Sequence, residues 1–478
     1  MRIALLTTIA LPVAATSADA ALTISTSATR NISCSAGVCT ATTANAVLNA
    51  GDLDNLLASS AVKVVSGSVA GAIDVKAALS WASANTLTLD AYTSIVVDKP
   101  LSIAGSGGLT LTTDDGGTGG TLSFGMAGYV TFWSVSDHLT INGAPYTLAN
   151  SITTLYNDML SNRMSGNYAL AESYDASADG TYSAPPLGNG FSGTFQGLGN
   201  TISNLTIVSD RSSYVGLFGS TSGANIENLD LTKTSIQAKH ADVGGLVGAL
   251  TSGDVVGCSV SGKIMGGAQA QTGGLVGSSS GTISNSWSTA KVVGSSSLSA
   301  GGLVGTTDNT ITGSYATGSV SSTLSGAYVG GLVGEDEPNE TAFPGAGVFN
   351  SYATGVVSGG ANSDIGGLVG YNFDHNSANT VISDSYSTGT VTGGTDSSLG
   401  GLIGELLSVA ADNYWDTTTS GIASTSQGCG APSNCSGVTG LSTSQLQAGL
   451  PTGFSAAIWA ESPSINGGLP YLLALPPK

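Results

Sequence analysis

Residues 214–420 predict a right-handed parallel β-helix, and three observations carry that expectation. A short glycine-framed phrase returns seven times: Gly216-Leu217-Phe218-Gly219, then Gly-Gly-Leu-Val-Gly beginning at Gly244, Gly273, Gly301, Gly330 and Gly366, and Gly-Gly-Leu-Ile-Gly at Gly400. The steps between Leu217, Leu246, Leu275, Leu303, Leu332, Leu368 and Leu402 are 29, 29, 28, 29, 36 and 34 residues. At such a period each unit can bury its apolar face only against its neighbours. Finally, 9% of residues are charged while Gly fills 69 positions, which suits stacked strands and tight turns better than helical bundles. A hydrophobic content of 41%, regularly spaced, argues against a disordered Gly/Ser chain.

Each repeat reads as three extended pieces. The first holds the glycine phrase, the second runs like Ile311 to Thr317, and the third follows Gly318 as Ser319-Val320-Ser321. Stacked copy on copy, three strands per coil give coils about 4.8 Å apart. Crossover chirality and strand twist favour the right-handed form. Upstream, short strands are expected at Leu87–Asp90, Ser94–Val97, Leu101–Ala104, Leu109–Thr112, Leu122–Phe124, Tyr129–Trp133 and Leu139–Asn142. One helix is expected between Ser151 and Met164, with Ser151 as N-cap and Ile152, Leu155, Met159 and Leu160 at helical spacing. The organisation expected is a signal peptide over 1–20, a first β-solenoid segment over 21–148, a junction over 149–213, the repeats over 214–420 and a C-terminal cap over 421–478. In that cap Phe454, Ile458, Trp459, Leu469 and Tyr471 are expected to cover the last coil, whose open edge would recruit other strands.

Export is the expected fate. Arg2, the apolar run from Ile3 to Ala15 and Ala18-Asp19-Ala20 have the order of a signal peptide cleaved after Ala20. No later stretch approaches the ~18 apolar residues that span a bilayer. A net charge of −19 excludes nucleic acid as a partner. Cys34 with Cys39 and Cys429 with Cys435 each enclose a short loop and are disulfide candidates, fitting an oxidising compartment. Their spacing does not suit zinc. Cys258 alternates with Val256 and Val260 and occupies the repeat position of Ser286, Ser314, Ser351 and Ser385, which makes it a small buried side chain.

Gly-Leu-Val-Gly followed by Asn-Ser-Tyr-Ala-Thr-Gly and a Val-rich strand resembles the GLUG repeat of large secreted bacterial surface proteins over roughly residues 215–420. Leu87-Thr-Leu-Asp-Ala-Tyr92, Gly108-Leu-Thr-Leu-Thr-Thr-Asp114, Ile141-Asn-Gly-Ala-Pro-Tyr-Thr-Leu148 and Phe191-Ser-Gly-Thr-Phe-Gln-Gly-Leu-Gly199 resemble linking segments of filamentous-haemagglutinin-like adhesins. Relatives commonly carry Asp and His where this chain has Gln196 and Asn200. The resemblance implies an exported β-helical adhesin-like protein.

β-Helices also house polysaccharide lyases and glycosidases, so chemistry needs its own test. A glycosidase requires two facing carboxylates, and a lyase a Ca²⁺ cluster with a base. Asp114-Asp115 beside Gly116-Gly117 reads as a turn. His138, His240 and His375 fall in no metal or triad spacing. The longer coils after Leu332 and Leu368 supply the binding candidates Glu335, Asp336, Glu337 and Glu340 in one insertion and Asp374 and His375 in the other, expected on one side of adjacent coils. Several oxygens there make Ca²⁺ the metal to consider, and no other cofactor is expected. An aromatic ladder is expected from Trp287, Tyr315, Tyr352, Tyr386 and Trp415. Ile283 and Ile311 share strand parity with its first members and favour an inward, structural stack; Val256, Cys258 and Val260 have the opposite parity, which would turn it into a strip for sugar rings. The reading is a noncatalytic surface or extracellular β-helix that binds glycans or matrix proteins, the alternative being a polysaccharide-degrading enzyme.

Overall fold

The structure, a computed structural model, describes residues 20–337, 343, 345–373, 381–422, 424–432 and 435–477. Residues 1–19 of the expected signal peptide therefore lie outside the described residues. The chain divides into two compact units, 1–129 with 137–145 and 130–136 with 146–478.

In the first unit, Ala21–Ser25, Ala72–Val75, Ile95–Val97 and Leu122–Phe124 pair in parallel along one sheet. A second sheet runs from Val38–Ala41 through Val62–Val65, Thr86–Asp90 and Gly108–Thr112 to His138–Ile141. Its register aligns Leu87 with Leu109 and Leu139, and Leu89 with Leu111 and Ile141, all buried. Alternation of Leu with Thr puts that apolar column on one face of every strand. An antiparallel hairpin of Ile32–Ser35 and Val38–Ala41 carries the Cys34–Cys39 disulfide across its strands. One helix is a correction to the sequence reading, which expected only the junction helix: Ala50–Ser59 is helical too. Asn49 caps it, accepting from the N–H groups of Gly51 at 2.9 Å and Asp52 at 3.2 Å, while Leu53 and Leu57 bury one stripe. Asp114, at φ 58°, closes its turn by accepting the Gly120 N–H at 2.7 Å, so that acidic pair serves a turn.

In the second unit the junction helix spans Ile152–Ser161, with Ser151 Oγ accepting the Thr154 N–H at 3.1 Å. Ile152, Leu155 and Met159 are buried, but Leu160 is 55% exposed and belongs to the solvent side. The repeats form parallel sheets of in-register strands. Each central coil has five short strands, not three: Val304–Thr307, Ile311–Thr312, Tyr315–Ala316, Val320–Ser322 and Tyr328–Gly330. The difference comes from two breaks, one within the glycine phrase, which divides Tyr328–Gly330 from Val333–Asp336, and the other a corner inside the expected second piece. Asn228, Gly257, Asn285, Gly313, Asn350, Asp384 and Asp412 all have φ between 46° and 63° at that corner. Asn, Asp and Gly are the residues that tolerate this conformation.

The corner turns the N–H of the residue after it to the dry interior, and the side chain at the same place one coil on accepts it. The N–H of Cys258 donates to Ser286 Oγ at 3.1 Å, Ser286 to Ser314 Oγ at 3.2 Å, Ser314 to Ser351 Oγ at 3.2 Å, Ser351 to Ser385 Oγ at 3.0 Å and Ser385 to Asn413 Oδ1 at 3.1 Å. Ser286, Ser314, Ser351 and Ser385 return their hydroxyl protons to the carbonyl two residues back, at 2.7–2.9 Å. Every buried polar group of the corner thus finds a partner one coil away or within its own turn.

The glycines of the repeated phrase serve close approach. A Cβ on Gly302 would lie 2.8 Å from the Ala316 Cβ, and one on Gly331 equally close to that of Ala353. The coil is therefore pinched where the glycine strand meets the inward small residue of the tyrosine strand. The pinch separates a large core, lined by Leu303, Val304, Ile311 and their copies, from a smaller one built on Val292, Val320, Val329 and Ile365.

The C-terminal segment departs from expectation. Cys429–Ala431 and Val438–Leu441 still add strands to the repeat sheets, paired with Ile403–Leu406 and Asn413–Asp416, and Cys429 is joined to Cys435. Leu446, Phe454, Trp459 and Leu472 then pack on the outer face of the tyrosine strands instead of over the last coil.

Candidate functional site

Trp287, Tyr315, Tyr352 and Tyr386 stack in coil order, with ring centroids 6.1, 4.8 and 5.1 Å apart and planes within 19°. Strand register makes Tyr414 the next member, opposite Tyr386. Trp415, expected in this column, pairs with Ser387 instead and points the other way, into the large core. There it fills the space over Gly401, Gly428 and Gly440. The column itself faces outward, since its strand neighbours Ala316 and Ala353 sit in the core. The left-handed corner explains why Ile283 and Ile311 misled: parity does not carry across it.

An outward ladder would be a sugar strip, but the tail covers it. Tyr315, Tyr352 and Tyr386 are at most 1% exposed. Trp459 lies 6.1 and 5.9 Å from the rings of Tyr352 and Tyr386, and Phe454 meets Tyr414 edge-on at 5.6 Å. Tyr386 donates to the Pro470 carbonyl at 2.6 Å and Tyr414 to that of Thr452 at 2.7 Å, and the Trp459 indole donates to Asn350 Oδ1 at 3.2 Å. The ladder is structural.

The acidic candidates separate. Glu335 and Asp336 belong to strand Val333–Asp336, paired with Val304–Thr307 and Val369–Asn372, so neither is on an insertion. Asp336 faces the core, fully buried, and accepts from Asn372 Nδ2 at 2.8 Å while its second oxygen has no partner. Burial pushes its carboxyl up to about 7, with Glu337 and Asp308 adding to the effect and the Asn372 bond opposing it. Glu335 faces outward. Glu337 follows the strand, and Glu340, Asp374 and His375 lie outside the described residues. No group of three or more His, Cys, Asp and Glu among the described residues is arranged to hold a metal ion.

Around Glu335 the outer face carries a cluster that sequence reading missed. Along one sheet Glu335 is followed in register by Tyr371 and Glu405, and along the adjoining sheet Tyr328 is followed by Asp364 and Ser398. The Tyr328 and Tyr371 rings stack at 4.5 Å and 16°, and Phe373 continues the stack 6.2 Å beyond Tyr371. Ser299 and Thr306 donate to Glu335 Oε2 at 2.7 and 3.2 Å. Desolvation raises Glu335, Asp364 and Glu405. Burial, then the neighbouring Tyr328 and Glu405, pushes the Tyr371 phenol up to about 12. The result is a half-buried aromatic stack edged by acceptors and hydroxyls. The signal that could have shown it is the one-coil offset between Tyr328 and Tyr371, visible only once the strand ending each repeat is recognised.

Other singled-out residues have structural roles. Asn200 Nδ2 donates to the Val130 and Leu170 carbonyls, and the Gln196 amide donates to Glu227. Cys258 is fully buried, its thiol pushed up to about 12 by desolvation, far from the thiolate a nucleophile needs. His138 and His240 are exposed and neither joins a catalytic constellation.

One family model matches, and it marks two stretches, residues 240–265 and 361–392. The chain carries the GLUG motif. The first match runs from His240 to the strand Ser259–Ala268, and the second takes in the glycine phrase at Gly366 and the tyrosine strand Tyr386–Ser387. No curated protein matches the chain. Among solved structures, a Bacteroides ovatus protein provisionally named an immunoglobulin A1 protease is similar over 69% of this chain and 92% of its own, at 18% identity and a TM-score of 0.45. No helix among the described residues is long and apolar enough to cross a membrane.

Proposed function

We propose that this GLUG-motif chain is an exported, noncatalytic β-helix with right-handed coils, similar in role to filamentous-haemagglutinin-like surface adhesins. It holds extracellular glycans, free or on matrix proteins, on the Tyr328–Tyr371 face. The observation that carries the reading is the pair of tyrosines stacked at 4.5 Å on an outer sheet face, flanked by Glu335, Asp364 and Glu405. Solvated strand faces have no need of a half-buried aromatic pair, whereas stacking under a sugar ring uses one. The noncatalytic part is supported by Glu335, whose Oε2 already accepts from the Ser299 and Thr306 hydroxyls, as a carboxylate held for binding does. Ca²⁺ in the two longer coils, those that carry Glu335 and Asp374, is a subsidiary proposal; calorimetric titration with no heat would remove it.

Binding of the mature protein to a neutral and acidic glycan panel tests the main reading. Tyr371→Ala is expected to weaken the recognised glycan at least tenfold with little change in melting temperature. Unchanged affinity in that variant, or no binding to any glycan, would overturn it.

A further inference from the structure

Five of the twelve Lys and Arg residues, Arg211, Lys233, Lys239, Lys263 and Lys291, fall within 81 positions, whereas residues 292–477 hold thirteen Asp and Glu and no Lys or Arg at all. The fold gathers most of these cations onto one face. Strands Asp230–Ala238, Ser259–Ala268 and Lys291–Ser296 lie side by side, with Ile236, Ile264 and Val292 in register and buried. Their outward column is Ser235, Lys263 and Lys291, with Gln237, Met265 and Val293 beside it. Lys233, at φ 53° within the first strand, and Lys239, just beyond its end, are both exposed.

Lys239 is paired with Asp210 at 2.7 Å, but Lys263 and Lys291 have no ion-pair partner among the described residues. Two like charges on adjacent strands, about 4.8 Å apart, disfavour each other. In so acidic a chain, carboxylates were available to neutralise them. Beside the column lies a shallow hollow of about 320 Å³ lined by Gln237, Lys239, His240, Met265, Gly267 and Ser295. Gly267 lets the two backbones approach at its wall: a Cβ there would lie within 3 Å of the Lys239 backbone.

We propose that this face binds an acidic polysaccharide, with sulfate or carboxylate groups spaced along one chain meeting Lys233, Lys263 and Lys291, and a sugar ring resting over Met265 in the hollow. The face is three strands wide, about 10 Å, and one strand long, about 20 Å, the dimensions of a single extended oligosaccharide. A membrane or a duplex nucleic acid would bring a broad anionic surface against a molecule of net charge −19. A single strand of anions meets only the basic face.

The test measures binding of the mature protein to polygalacturonate and to dextran sulfate at 50 and 200 mM salt, with neutral dextran and phosphatidylserine vesicles alongside. Binding to one of the polyanions is expected, weakening at least tenfold across that salt step as counterion release requires. The double variant Lys263→Gln/Lys291→Gln, both sites exposed, should lose at least tenfold, and Lys99→Gln should lose nothing. Absence of binding to both polyanions, retention by the double variant, or tighter binding to vesicles would each overturn the proposal. Tyr371→Ala is expected to leave polyanion binding unchanged, so this face and the tyrosine face succeed or fail separately.

Discussion

The residue that follows each corner shows how one side chain serves two coils. Ser314 accepts the Ser286 N–H at 3.2 Å and donates to the Thr312 carbonyl at 2.9 Å, both buried. Ser314→Ala strands that N–H and is expected to lower stability by about 1–3 kcal/mol in a denaturant titration. Cys258 fills the same place with a longer, weaker contact, 3.4 Å to the Val256 carbonyl. Cys258→Ser should therefore leave the midpoint unchanged or raise it. Tyr352 separates ring from hydroxyl: its ring stacks on two neighbours, while its buried oxygen has no partner. Tyr352→Phe is expected to keep or raise the melting temperature, and Tyr352→Ala to cost about 3–5 kcal/mol.

At the scale of elements, the glycine phrase was legible as a repeat, and its steric reason became visible only in cross-section. Gly331 faces Ala353 across the pinch, with the Gly367 backbone against it. Gly331→Ala is expected to destabilise by about 1–3 kcal/mol or more, because two walls of the coil must part; an unchanged thermal midpoint would refute the pinch. The strands placed between Leu87 and Asn142 lie within one residue of those observed, as at Gly108–Thr112, whereas earlier ones such as Ala21–Ser25, Val62–Val65 and Ala72–Val75 were not placed. Helix Ala50–Ser59 was not read, although Asn49, Asp52 and the Leu53/Leu57 pair are the signals that announce a capped amphipathic helix. Trp415 was misassigned because it is an aromatic residue beside the right one. Counting twelve residues from the repeat leucine, as from Leu303 to Tyr315, leads from Leu402 to Tyr414. The orientation of the ladder could not be read by parity, since a left-handed residue intervenes. Nor does sequence say that a tail more than thirty residues further on lies over it.

For the whole molecule, acidity and burial combine. Asp336 is raised to about 7, and Glu227, Glu335, Asp242, Asp364 and Glu405 also shift upward through desolvation. Between the unfolded carboxylate value, about 4, and the raised folded values, the native state holds protons that the unfolded chain has released. Stability is then greatest below the unfolded value and falls as pH rises through the folded one. Thermal unfolding should show a higher midpoint at pH 5 than at pH 8. Asp336→Asn should remove part of that difference, on the order of a few kcal/mol at pH 8. A midpoint that rises with pH over this range would contradict the burial of these carboxylates.

The central claim is that the chain holds glycans on the Tyr328–Tyr371 face without cutting them, and the length of a glycan recovered after prolonged saturation binding tests it most directly. A polysaccharide retained by the wild type, released by Tyr371→Ala and recovered at its original chain length is the predicted result. Recovery of shortened chains, with Tyr371→Ala binding as well as the wild type, would contradict it.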